Sequence, residues 1–235
     1  MTSSQNPAQP GAPRGFMVVC DGSNGAGKTT LIQHLRAHLE GLGFEVVVTR
    51  EPGGTAIGEK IREILLSPDS PEMCDLTELM LFGAARAQHL REKILPALAA
   101  GKVVLCDRFD SATISFQHYA RGLDLTLVER INALALDGFQ PDLYLILDLD
   151  PAIGLSRVQQ RGETLDRMEA EQLAFLQRAR DGYLKQAEQH PRRFRVLDAR
   201  CDAQQVAAEA IALVNELAQA AHSGLSGELK HWQET

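Results

Sequence analysis

Lys28 and Thr29 close an eight-residue run, Gly22-Ser23-Asn24-Gly25-Ala26-Gly27-Lys28-Thr29, that fills the pattern G-x-x-x-x-G-K-[ST] completely. Glycines at this spacing let backbone N–H groups turn inward on an anion. An ammonium then reaches the terminal oxygens, and a hydroxyl can bind a divalent cation such as Mg²⁺. The chemistry is capture of a nucleoside triphosphate. The flanks agree with it. Phe16-Met17-Val18-Val19-Cys20 reads as a buried strand leading in, while Leu31, Leu35, Leu39 and Leu42, with Ile32 beside them, mark one face of a helix leading out. Such a helix start turns its positive end toward the phosphates, so Gly22 to Thr30 are the candidate ATP-binding residues.

Other chemistry-bearing residues stand where further strands end. Thr49-Arg50-Glu51-Pro52-Gly53-Gly54-Thr55 follows a second strand; Pro52 disfavours helix at Glu51, and the glycines let backbone approach a ligand. Arg50 suits a bidentate grip on phosphate, or is an incidental arginine of a surface loop. Lys102-Val103-Val104-Leu105-Cys106 runs into Asp107-Arg108. An acid at the end of a buried strand suits Mg²⁺, and the arginine a second phosphate; a structural Asp–Arg pair is the alternative. Phe82 and Arg86 lie one helical turn apart, so a ring and a guanidinium share a face that could hold a nucleobase. Arg157, Arg161, Gly162, Glu163, Asp166, Arg167 and Glu169 form a cluster broken by a glycine. It suits a lid whose arginines offset charge on a transferring phosphate, or an exposed turn whose acids satisfy its arginines.

These residues need a scaffold, and the chain supplies one. Short apolar runs at Phe16–Asp21, Glu45–Thr49, Lys102–Asp107, Asp142–Asp148 and Phe194–Leu197 predict five strands. Between and after them, helices are expected near Gly27–Gly41, Thr55–Leu66, Leu76–Ala100, Ser111–Ala120, Leu125–Asp137, Ala152–Arg161, Glu169–Gln189 and Ala203–Ala221. Alternating strand and helix predicts an α/β fold: a five-stranded parallel sheet flanked by helices on both faces, with ligands at the carboxyl ends of the strands. Residues 16–221 form the expected domain, with a short lid near 161–168. Residues 1–15, rich in Ser, Pro, Gln and Ala, read as a disordered leader, and 222–235 as a C-terminal extension.

Composition narrows the classes of function. A net charge of −7 argues against broad electrostatic binding of nucleic acid, and 5% aromatic residues against single-strand stacking platforms. The apolar runs are too short to span a bilayer. Cys20, Cys74, Cys106 and Cys201 are widely spaced without C-x-x-C, which fits a reduced, cytoplasmic protein. His34 and His38 have helical i,i+4 spacing but no evident third ligand for a metal.

Taken together, the P-loop, Thr49–Thr55, Leu81-Phe82-Gly83-Ala84-Ala85-Arg86, Asp107-Arg108-Phe109, and Arg161-Gly162-Glu163 followed by Asp166-Arg167 resemble the thymidylate kinase family. These are P-loop nucleoside monophosphate kinases that convert dTMP to dTDP with ATP. The resemblance spans roughly Phe16 to Ala221, and arginines in the lid with none in the P-loop look like the bacterial form. It implies that Lys28 and the P-loop backbone hold ATP phosphates, and that Thr29 and Asp107 serve Mg²⁺. Arg50 and Arg108 would grip the dTMP phosphate, Phe82 would stack on thymine and Arg86 would bond its edge. Thr113, Phe116 and Gln117 would line the nucleoside pocket. Lys28, Arg108, Arg161 and Arg167 would be the catalytic residues, and a homodimer is implied. The chain departs from the pattern at three places: Asn24 stands where a carboxylate is usual, Phe116 where Tyr is common, and Thr164 is an extra lid residue. A kinase for another monophosphate, or a nucleotide-dependent switch or assembly NTPase, are the rival readings. A GTPase switch lacks support, since neither N-K-x-D nor D-x-x-G occurs.

Overall fold

The strand Met17–Gly22 (β1) is buried along its whole length, as a central strand of a two-face-covered sheet must be. In the computed structural model, which describes residues 15–160 and 166–222, four more strands join it: Val46–Arg50 (β2), Val103–Asp107 (β3), Leu143–Asp148 (β4) and Phe194–Asp198 (β5). All neighbours pair in parallel, in the order β2-β3-β1-β4-β5. From β1 the chain goes to the edge strand β2, returns to lay β3 beside β1, and then crosses to the other side with β4 and β5. That reversal opens a crevice at the carboxyl ends of β1, β3 and β4.

Alternation of side chains along the strands splits the core into two halves. On one face Val18, Cys20, Leu105 and Leu145 pack against Leu31, Leu35 and Leu39 of α1 (Lys28–Gly41) and Ala210 and Val214 of α9 (Ala203–His222). On the other, Met17, Val19, Val104, Cys106 and Ile146 meet Leu90, Ile94, Phe109, Phe116 and Tyr183. The remaining helices are α2 (Ala56–Leu66), α3 (Asp75–His89), α4 (Leu95–Ala99), α5 (Asp110–Thr113), α6 (Leu125–Leu136), α7 (Pro151–Gln160) and α8 (Leu173–Gln189). Two are capped by side chains as their sequences suggest: Thr55 accepts from the Gly58 N–H and Asp124 from the Leu127 N–H.

Three helical expectations are refined. The span 76–100 is α3 and α4 joined by a π-helical turn at Leu90–Ile94, where the Leu95 N–H bonds the Leu90 carbonyl. Pro96, which lacks an N–H, sits in the first turn of the shorter piece. The span 111–120 is likewise α5 followed by π-helix Ile114–Ala120. The helix expected from Glu169 begins at Leu173. Before it, the Asp166 side chain accepts from the Met168 and Glu169 N–H groups and folds that stretch into a turn. Of the expected leader only Gly15 is described, and it is buried. The residues of the lid from Arg161 to Leu165, and positions 223–235, lie outside the described residues.

Candidate active site

Between β1 and α1 the backbone adopts the turn the glycines allow. Gly22 has φ +124° and Gly25 φ +72°, and a Cβ on either would sit 2.3 Å from a carbonyl oxygen, of Leu147 or Gly154. Only glycine fits. Lys28 begins α1 and folds back over the loop, its Nζ donating to the carbonyls of Ser23 (3.0 Å) and Gly22 (3.4 Å). Burial first, then the neighbouring Arg108 cation, pull its ammonium from the ordinary 10.5 down to about 8, against the attraction of Asp107 and Asp21. The loop thus holds a cation at the anion's place, weakly solvated and poised for phosphate. Thr29 and Thr30 are exposed beside it.

The end of β3 carries the second half. Asp107 Oδ1 is buried without a hydrogen-bond partner among the described residues. An orphaned carboxylate oxygen is costly unless something is meant to meet it. With the exposed Thr29 hydroxyl lining the same cleft, the donor set fits Mg²⁺, which takes one or two protein oxygens and completes its shell with phosphate and water.

Arg108 follows with φ +66°, an unusual value for a residue with a Cβ. Its side chain explains the strain. Nη1 donates to Asp21 Oδ1 (3.0 Å), the Gly22 carbonyl (3.0 Å) and the Tyr183 hydroxyl oxygen (2.8 Å), and Nη2 to Asn24 Oδ1. The guanidinium carbon lies 5.3 Å from the centre of the Phe116 ring. Asp21 is fully buried and also accepts from Tyr183 (2.6 Å) and Ser111 (2.7 Å). Arg108 is therefore strapped between the phosphate loop with the end of β1 and Tyr183 of α8.

A cleft of about 250 Å³ joins these parts to the other side of the sheet. Its walls include Asn24, Gly25, Gly27, Lys28, Thr29 and Thr30 at one end, and Arg50, Phe82, Arg86, Thr113, Phe116 and Gln117 at the other, with Asp107 and Arg108 between. Arg86 is buried: Nε donates to Glu51 (2.9 Å), Nη1 to Asn132 (2.8 Å), and Nη2 to the Phe109 carbonyl (3.0 Å) and Thr113 (2.9 Å). Those bonds leave one N–H on Nη1 without a partner among the described residues. Thr113 accepts from Arg86 with its hydroxyl oxygen and itself lines the cleft. Gln117 donates to Glu78 (2.9 Å). Arg50, half exposed, bonds Glu59 (3.1 Å), which also holds the Gly54 N–H.

One lid arginine is engaged elsewhere in this structure. Arg167, read as a lid arginine over the phosphates, does not line the cleft. Its Nε donates to the Leu65 carbonyl (2.8 Å) and its Nη2 to the buried Glu78. Its carboxylate partner is the buried Glu78 of α3, and not one of the acids of its own cluster. Arg161 lies outside the described residues; Arg157 turns toward the P-loop and donates to the Gly25 carbonyl (3.3 Å). Gly22, Ser23 and Ala26 form the loop but are not on the cleft surface. His38 pairs with Asn215 (2.7 Å). Sequence reading missed Asp21, Glu51, Glu78, Asn132 and Tyr183. Asp21 and Glu51 each adjoin a recognised motif, which was a usable signal; the other three have partners far away in the chain.

The thymidylate kinase family model matches residues 20–210. The thymidylate kinase of Pelotomaculum thermopropionicum is 48% identical over 186 residues, covering 79% of this chain and 86% of its own. That of a Geobacillus species is 47% identical over 202 residues, covering 86% and 96%. The crystal structure of the Ehrlichia chaffeensis thymidylate kinase aligns with a TM-score of 0.70 at 32% identity, over 86% of this chain and 99% of that one. A phosphate loop, a strapped arginine and a nucleotide-sized cleft on a five-stranded parallel sheet, matched by relatives of this similarity and coverage, make the chain a member of the thymidylate kinase family.

Proposed function

We propose that the protein transfers the γ-phosphoryl group of ATP to dTMP, giving dTDP and ADP. One observation carries the reading beyond family membership: Lys28, Asp107 and Arg108 share a single cleft with Arg50, Phe82 and Arg86. A donor cradle and an acceptor pocket thus open on one space, which an in-line transfer requires. A phosphate oxygen of dTMP is already a nucleophile, so no general base is needed. It attacks the γ-phosphorus as the bond to the bridging oxygen breaks, and the electron pair leaves with ADP.

The protein supplies position and charge. Lys28 holds the terminal phosphates of ATP. Arg108, anchored by Asp21, Gly22 and Asn24 on the loop side, offers its remaining surface to the phosphate that moves. Arg50 grips the dTMP phosphate, trading its exposed bond to Glu59. Phe82 stacks on thymine, and the unpaired N–H of Arg86 bonds its edge. Phe116 lies beneath the sugar, and Gln117 lines the pocket. Arg161 closes over the phosphates. Thr29 and Asp107 would hold Mg²⁺, which when bound neutralises phosphate oxygens. Asn24 carries no charge where relatives usually have an acid, so Asp21 is the carboxylate that Arg108 bonds.

We further propose a cytoplasmic homodimer. Exposed Ile57 and Ile64 lie seven residues apart on α2, and Leu76 and Met80 four apart on the adjoining α3, with Leu134 on α6 beside them. Among the described residues no helix is long and apolar enough to cross a membrane, and the four cysteines are free. The direct test is ADP formation with dTMP, dUMP, dCMP, dGMP or no acceptor. Strong stimulation by dTMP alone supports the reading. Hydrolysis that ignores the acceptor would point to a switch NTPase instead.

A further inference from the structure

Glu78 lies on the first turn of α3, almost wholly buried, and binds three side chains. Oε1 accepts from Gln117 Nε2 (2.9 Å) and Arg121 Nε (3.1 Å), and Oε2 from Arg121 Nη2 (3.1 Å) and Arg167 Nη2. Burial raises its pKa, and the bonds from Arg121, Gln117 and Arg167 outweigh that and hold it below the ordinary carboxylate range. The partners come from two separate segments, Gln117 and Arg121 from the π-helix and its C-terminal cap, and Arg167 from the turn before α8. Gln117 is a wall of the acceptor pocket on the π-helix Ile114–Ala120. Arg167 sits in the turn whose neighbours Asp166, Met168 and Glu169 form another wall of the same cleft. Arg121 is held in turn by Glu171 and by the face of Phe175, 4.6 Å from its guanidinium carbon.

The wall that contains Asp166, Met168 and Glu169 is seated by Met168, which is buried in the core, and by the bonds of Arg167. The Arg167 N–H and Nε bond the last carbonyls of α2, Leu66 and Leu65, and Arg167 Nη2 bonds Glu78. Leu66 is itself a cleft residue. One carboxylate thus ties two cleft walls together, and its removal would leave the largely buried Arg167 guanidinium without a carboxylate partner among the described residues, while Arg121 keeps Glu171 and Asp75. We infer that Glu78 is a positioning residue for the phosphoryl acceptor, locking Gln117 and, through Arg167, the Asp166–Glu169 wall into one rigid acceptor pocket. Arg167 then acts on acceptor binding through Glu78, and not on the transferring phosphate. The ATP end of the cleft is built from β1, α1 and β3 and shares none of these bonds.

This inference rests on dTMP being the acceptor, and its test separates the two. Steady-state kinetics of the full-length protein are measured for wild type, Glu78→Gln, Arg167→Met and the double variant, with dTMP and ATP varied in turn and the melting temperature of each recorded. The expected result is a KM for dTMP raised about tenfold in each single variant, the scale of one lost charge-assisted hydrogen bond. The KM for ATP should stay within about twofold, since it draws on none of these contacts. The double variant should be little worse than the poorer single one, because both break the same strap. Arg167→Met keeps Glu78 paired with Arg121 and carries the test if Glu78→Gln does not fold. A transition-state role for Arg167 would instead lower kcat and leave the dTMP KM unchanged. That outcome, parallel rises in both KM values, or additive effects, overturns the inference while wild-type activity upholds the function. No dTMP phosphorylation by the wild type overturns both.

Discussion

Lys28 links nucleotide binding to the uptake of a proton. In the empty protein its ammonium titrates near 8, because burial and the Arg108 cation both disfavour its charge. A bound triphosphate reverses that balance and restores the protonated form. The sign follows directly. Below about 8 the lysine is charged before and after binding, and above it a proton must be taken up. With a pKa of about 8, the uncharged fraction is roughly 0.1 at pH 7, 0.5 at pH 8 and 0.9 at pH 9, and these are the protons expected per nucleotide bound. Between pH 7 and pH 9 the affinity for ATP should therefore fall about tenfold, or about 1.4 kcal/mol. Isothermal titration calorimetry in pairs of buffers of different ionisation enthalpy measures the uptake at each pH. In Lys28→Met the uptake should vanish and the weak residual affinity become flat over this range. An uptake near zero at pH 8, or one that persists in Lys28→Met, refutes the reasoning. The same shift affects the empty fold: between about 8 and 10.5 the unfolded chain keeps a proton that the folded chain has lost, so this group's penalty to stability is relieved as pH rises.

Arg108→Ala should lower kcat on the order of 10²-fold or more, as expected for removing a charge partner of the transition state; near-normal turnover would remove Arg108 from the mechanism. Asp21→Asn leaves the Arg108 cation without its buried carboxylate and should cost roughly 3 kcal/mol. For a chain of this size that is a fall of roughly 6–12 °C in Tm by calorimetry, and an unchanged melting curve would show the strap to be dispensable. Met80→Glu places a charge on the exposed apolar surface of α2 and α3. Sedimentation should then show a wild-type dimer converted toward monomer, whereas a dimer that persists locates the interface elsewhere.

What the chain declares by itself is local. The phosphate loop is legible because its glycines, lysine and threonine are consecutive, and each does its work within one strand–turn–helix. The central strands β1, β3 and β4 are legible because burial on both faces leaves continuous apolar runs, and the edge strands β2 and β5 by their β-branched and aromatic residues. Arg50, Phe82, Arg86, Asp107 and Arg108 could be singled out because each lies at the end of such an element or on a readable helical face. Tertiary structure decided what those side chains touch. Arg86 spends four of its five N–H groups on Glu51, Asn132, Phe109 and Thr113, residues 23 to 46 positions away. Arg108 depends on Tyr183, 75 residues further on, and Tyr183 on Asp21, 162 residues back. Arg167, which spacing alone left open between phosphate and acid, is claimed by Glu78, 89 residues earlier. Periodicity records which side of an element is buried, and it records nothing about which distant element covers that side. The partners of buried charges are fixed only when the sheet order brings β1, β3 and α8 together, because a desolvated charge must find its counter-group wherever the fold supplies one.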